Sequence, residues 1–197
     1  MISKNALIIC NMQNDYCENK CCEIKEPLKI IPIINRIKKY FDFTFFIKDW
    51  HPKDHTSFKE NGGSWSRHCI QNSRGAELNQ GLQIDTSDQI IHIGTLSLYD
   101  SGSAFYDAKV IKRESGLNMK LKKHKITTLY LCGYLLEESL FSTALDAINF
   151  RYNCFILSDI SLGTNDKNME KSIKYLQDLG IQLLHADQLN CSVQTNC

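Results

Sequence analysis

The sequence predicts an α/β fold with a mostly parallel sheet, and three observations carry that prediction. Six short apolar or β-branched runs recur along the chain, each of strand length. Helical apolar spacing fills most of the gaps between them, which is the alternation of a sheet covered on both faces. Residues 6–10 (ALIIC) form an unbroken apolar run, as a strand buried on both faces requires.

After that first strand, residues 28–40 carry apolar positions at helical spacing. Pro27 suits the first turn and Pro32 is expected to interrupt it. Residues 43–47 (FTFFI) are aromatic and β-branched and read as the second strand. Residues 49–75 then run through Gly, Ser, Asn, Pro and His without a period. A loop this long in a small domain usually carries function. Further strands are expected at 89–93, 127–132, 153–158 and 181–185, with helices at 116–123, 137–151 and 167–179, the last ending before Gly180. Six strands with helices on both faces make a three-layer sandwich. Ligands in such folds sit beyond the carboxyl ends of the strands, here Asn11, Asp49, Ile93 and the stretch from Gly133.

With 197 residues and no internal repeat or linker-like tract, the chain is expected to be one domain, 1–197. Lysine and arginine total 23 against 22 acidic residues, which gives no basic footprint for nucleic acid. No apolar run approaches the ~20 residues of a membrane helix, and the N-terminal apolar run is too short for a signal peptide. The expectation is a cytoplasmic protein without nucleic-acid or membrane partners. Nine cysteines, an odd number without a C-x-x-C pair, read as reduced thiols, because cytosolic disulfides are rare. Cys10, Cys132 and Cys154 fall in or beside strand-like runs as small hydrophobes. Cys17, Cys21 and Cys22 cluster in what reads as a polar loop and could instead bind metal or oxidise; Cys69, Cys191 and Cys197 complete the set.

Residues 49–55 (DWHPKDH) directly follow a strand. Residues two apart on an extended chain point the same way, so Asp49 and His51 can converge on one ion, and Pro52 favours the extended conformation of His51. His68 is a third candidate ligand, and His55 a fourth or a group supporting the ligands. Two imidazoles and a carboxylate suit a divalent ion, zinc foremost, with positions left open for water or substrate.

Three stretches together resemble the nicotinamidases of the isochorismatase-like hydrolase superfamily: residues 6–16 (ALIICNMQNDY), 49–58 (DWHPKDHTSF) and 65–78 (WSRHCIQNSRGAEL). Residues 103–105 and 143–147 continue the pattern, so the resemblance spans about residues 6–185. It implies a divalent metal on Asp49, His51 and His68, with Trp65 against a pyridine ring. It also implies a catalytic aspartate, lysine and cysteine, and there the chain departs, with Asn11, Ile93 and Ser139 at those positions. Gly102 replaces an aromatic residue common in the family, and Tyr134, Leu135 and Leu136 replace small residues after Gly133.

Asparagine has no proton-accepting carboxylate, isoleucine no charge, and a serine hydroxyl is a weak nucleophile without a base. His92, next to Ile93, is the one nearby substitute base, but strand alternation turns it away. The sequence therefore favours a catalytically silent relative that binds a pyridine carboxamide or related small molecule, or associates with another subunit or a second copy. Against it stands a carboxamide hydrolase using Ser139 or a metal-bound water, and a third reading makes the metal a loop staple. Leu135 and Leu136 are expected to reshape the pocket.

Overall fold

Six parallel strands lie in the order β3-β2-β1-β6-β7-β8. They are β1 (Lys4–Cys10), β2 (Phe43–Asp49), β3 (Gln89–Ile93), β6 (Ile126–Gly133), β7 (Asn153–Ser161) and β8 (Gln182–Leu184). The computed structural model describes residues 3–18 and 20–189; Cys191 and Cys197 lie outside the described residues. Between β3 and β6, β4 (Tyr106–Ala108) and β5 (Arg113–Glu114) pair as a small antiparallel ribbon. The helices are α1 (Asn14–Cys17), α2 (Ile31–Ile37), α3 (Leu117–Lys123), α4 (Phe141–Asn149) and α5 (Asp166–Asp178).

β1 shows why this sheet forms. Its alternate side chains enter two cores: Ala6, Ile8 and Cys10 pack on the side of α3, α4 and α5. Leu7 and Ile9 pack on the side of α1 and α2. Both faces being covered, the run is apolar throughout rather than alternating. Helix α2 buries Ile31, Ile34 and Ile37 at three-residue spacing, each contributing roughly 1.5–3 kcal/mol by burial. The predicted sandwich is the observed one.

Local differences are informative. Pro32 does not interrupt a helix; it lies in the first turn of α2, where its missing N–H has no partner to lose. Pro27 opens a separate 3₁₀ turn, Pro27–Ile30. The expected helix at 137–151 is divided into a π-helical turn, Leu136–Leu140, and α4. Cys17 is not in a polar loop but is the buried last residue of α1.

The strand order reverses between β1 and β6, which creates a crevice beyond their carboxyl ends. Gly133 ends β6 there with φ +118°, and a Cβ on it would stand 2.1 Å from the Cys10 carbonyl oxygen. Close approach of the two strand ends thus requires glycine. Gly133→Ala is expected to destabilise the fold by at least the ~1–3 kcal/mol of local backbone strain. A denaturant titration reads the loss, and an unchanged midpoint would contradict this packing.

Candidate metal centre and cavity

Asp49 ends β2 with its backbone clamped by one side chain. Gln13 Nε2 donates to the Asp49 carbonyl at 2.7 Å, and the Asp49 N–H donates to Gln13 Oε1 at 2.8 Å. Its buried carboxylate accepts from Asn11 Nδ2 at 2.7 Å and from the Tyr16 hydroxyl at 2.5 Å, both to Oδ2. Among the described residues no lysine or arginine pairs with it.

His51 continues the strand direction, and residues 69–71 dock beside it: the His51 N–H donates to the Cys69 carbonyl and the Gln71 N–H to the His51 carbonyl, both at 2.9 Å. Pairing of His51 with Ile70 brings His68 back over the end of β2. The Asp15 carboxylate fixes this return by accepting from the Cys69 N–H at 2.8 Å. One ligand-type atom each from Asp49, His51 and His68 then lie within 4.8 Å of one another.

The imidazoles are oriented by their other nitrogens. His51 Nδ1 is 3.0 Å from the Gly94 carbonyl, and His68 Nδ1 is 2.8 Å from the Ser66 carbonyl. A carbonyl can only accept, so each Nδ1 carries the proton and each Nε2 keeps its lone pair for an ion. Gly94 has φ +64°, and a Cβ there would meet the His51 ring at 2.5 Å; only glycine lets the imidazole approach its backbone partner. The donor set and its orientation fit a divalent cation.

His55 stacks on His51 with ring centroids 4.0 Å apart. Its Nδ1 accepts from the Ser57 N–H and its Nε2 faces the Tyr99 carbonyl at 3.2 Å, so both nitrogens are engaged. His51, His55 and the exposed Asp100 also converge within 4.8 Å, but that grouping would have to break the His55 bonds.

The cavity over this cluster is small, about 40 Å³. Trp65 lines it, its ring 5.5 Å from that of His68. Gly102 and Leu135 line it as well. Leu135 holds φ +59°, a left-handed conformation rare for a bulky residue. Leu136 does not enter the cavity, because the following turn directs it into the core beside α4.

The three remaining expected positions separate. Asn11, in a left-handed conformation at φ +60°, and Ser139 line the cavity. Among the described residues, Asn11 Oδ1 and Ser139 Oγ are buried without a well-formed hydrogen bond, Ser139 standing beside the Cys10 thiol. Ile93 is buried in the apolar core beside Ile91 and Phe105 and does not line the cavity. His92 points to the opposite face, stacking against Trp50 at 4.6 Å.

Sequence reasoning missed Tyr16, Asp100 and Glu138, which complete the lining. Burial foremost, then the charges of Glu137, Asp100 and Asp49, pushes the Glu138 carboxyl up to about 7. The signal available was position alone: Glu138 precedes Ser139 on the loop after β6. Its neighbour Glu137 is engaged elsewhere, with Oε1 accepting from the Thr164 and Asn165 N–H groups.

Burial holds His68 below the ordinary histidine value; the Asp49 charge opposes this and His51 adds to it. His55 is lowered by burial and then by His51. At these two imidazoles the native state binds fewer protons than the unfolded chain below pH ~6.5, and their contribution to stability is lost as pH drops through it, whereas the raised Glu138 carboxyl acts in the opposite sense over the same range. In metal-free protein, the change in denaturation midpoint between pH 7.5 and 5.5 should differ between the wild type and His68→Gln by the share that His68 contributes. An equal slope in the variant would contradict the assignment.

Residues 5–188 match the isochorismatase domain family. The nicotinamidase of Schizosaccharomyces pombe is 31% identical over 205 residues, covering 91% of this chain and 92% of that protein. The crystal structure of PnC1 from L. infantum in complex with nicotinate superposes with a TM-score of 0.88 at 28% identity, covering 95% of each chain. The pyrazinamidase of Pyrococcus horikoshii in complex with zinc superposes at 0.84 with 30% identity, covering 92% of this chain and 99% of that one. With the sheet order, the converging Asp49, His51 and His68, and these likenesses in hand, the chain belongs to the isochorismatase-domain family and is nicotinamidase-like.

Proposed function

We propose that this protein is a divalent-metal-dependent hydrolase of small pyridine carboxamides that works without a cysteine nucleophile. The observation that carries the reading is one cavity holding two kinds of unsatisfied group. The ligand atoms of Asp49, His51 and His68 converge within 4.8 Å, and beside them Asn11 Oδ1 and Ser139 Oγ are buried without a well-formed hydrogen bond among the described residues. Buried polar atoms are rarely left unpaired, so both fit a polar ligand. A nicotinamidase relative, a structural neighbour solved with nicotinate and a pyrazinamidase neighbour solved with zinc support the substrate class and the metal. Zinc suits the donor set. An ion held by Asp49, His51 and His68 would supply Lewis acidity toward a pyridine carboxamide.

The protein's own groups do the rest. Asn11 Oδ1 accepts from the carboxamide N–H₂ and aims the carbonyl carbon. Trp65 covers the ring. Ser139 Oγ, a lining hydroxyl that stands beside the Cys10 thiol, attacks that carbon, and its proton passes to the Glu138 carboxylate. Glu138 returns the proton to the departing nitrogen as ammonia leaves, and water then releases the acid by the reverse transfers. A carboxyl poised at about 7 is half ionised near neutral pH, as an acid that is also a base requires. Ile93 adds no charge and Ser139 has no base already bonded to it. Turnover is therefore expected below the roughly 1–10³ s⁻¹ of ordinary enzymes.

A second reading, binding without turnover, is favoured by Asn11 and Ile93, which supply neither base nor cation, and by the small cavity under Leu135. Ammonia release from nicotinamide separates the two. Slow release, abolished by chelation and by Ser139→Ala, is the expected result. Saturable binding of nicotinamide by calorimetry with no ammonia would instead establish the second reading.

The metal assignment has its own test. His51→Ala is expected to lower zinc content by elemental analysis and to remove the thermal stabilisation that zinc gives the wild type, since a ligand bound only by the folded state raises its stability. Full zinc retention would overturn it.

A further inference from the structure

Two thiols stand apart from the cavity's chemistry. Cys21 and Cys22 are adjacent and both half-buried, with their sulfurs 3.9 Å apart and the Cys21 thiol donating to Cys22 Sγ. Cys21 Sγ also lies 3.6 Å from the Asp15 carbonyl. The hydrogen bond from Cys21 pulls the Cys22 thiol down, against burial and the charges of Glu138 and Glu137. The single Cys21 S–H is shared between Cys22 Sγ and the Asp15 carbonyl, and Cys22 lies within electrostatic reach of the cavity-lining Glu138.

The separation discriminates between the two things a vicinal dithiol can do. A disulfide requires sulfurs about 2.05 Å apart, so oxidation would need them to close by nearly half their distance. Two thiolates about 2.3 Å from one tetrahedral centre stand about 3.8 Å apart, and about 3.4 Å apart on a pyramidal centre such as trivalent arsenic, so the observed 3.9 Å needs far less closure than a disulfide would. Thiolates also select soft centres. Cys17 and Cys69 are buried and do not compete for a reagent arriving from solvent.

We propose that Cys21 and Cys22 form a dithiol site that binds a soft, thiophilic centre beside the rim of the cavity. With a monosubstituted trivalent arsenical as the probe, both S–H bonds break and two As–S bonds form. The two protons leave with the arsenical oxygen as one water, and arsenic stays trivalent, so no oxidant is needed.

Intact-mass spectrometry of the folded protein with phenylarsine oxide tests this. The expected result is one adduct, equal to protein plus reagent minus water, that survives excess glutathione and is removed by dithiothreitol. It should be lost in Cys22→Ser and in Cys21→Ser, and retained when Cys191 and Cys197 are both changed to serine. Circular dichroism checks that each variant is folded, and if one is not, the other decides. No adduct on the wild type, or an adduct that persists in either folded Cys21 or Cys22 variant, overturns the proposal. The mass readout needs no turnover, so it stands or falls separately from the proposed hydrolysis.

Discussion

A buried carboxylate without a basic partner is the constraint around which this structure is arranged. Asp49 is held at the end of a central strand by the side chain of Gln13, and among the described residues its carboxylate is hydrogen-bonded by the amide of Asn11 and the hydroxyl of Tyr16. Burying an ionised group is costly unless it is paired. The imidazoles of His51 and His68 bring a ligand atom each within 4.8 Å of the Asp49 carboxylate, each presenting an unprotonated nitrogen. One divalent cation would satisfy all three at once. The Asp15 clamp on Cys69, the His51–Ile70 pairing and the bare backbone at Gly94 all serve to bring those rings into place.

Much of this was legible in the sequence because it follows from short-range rules. A doubly buried strand must be continuously apolar, and residues 6–10 are. Asp49 and His51 share a face because extended chain alternates. The cavity's other walls were illegible for the opposite reason. Tyr16 reaches Asp49 across 33 positions, and nothing in local pattern predicts that. Glu138 enters the cavity because a π-helical turn, rather than a regular helix, follows the left-handed Leu135, and that turn re-aims every side chain on it. The same turn sends Leu136 into the core, where periodicity alone could not place it. The short helix containing Cys17 was hidden in a polar stretch, since four residues are too few to show a period.

The resemblance implied metal ligands and a pyridine pocket, and it also marked where this chain departs from the family pattern. The three departures are not equivalent in space. Asn11 and Ser139 still face the cavity and keep polar atoms there, whereas Ile93 has joined the apolar core. Polar capacity thus lies where a ligand would sit, at Asn11 and Ser139, while Ile93 presents no charge to it. Glu138 restores a titratable carboxyl to the cavity from a different element, which is why a slow hydrolase is a better reading than an inert fold. Leu135 adds local strain at the same place, and strained backbone concentrates at functional sites.

Anomalous diffraction at the zinc edge from crystals equilibrated with zinc and nicotinamide tests the central claim most directly. The account predicts one strong peak among the Asp49 carboxylate and the Nε2 atoms of His51 and His68, with a planar ring beside Trp65. A peak confined to His51, His55 and Asp100, or no peak in the cavity, would contradict it.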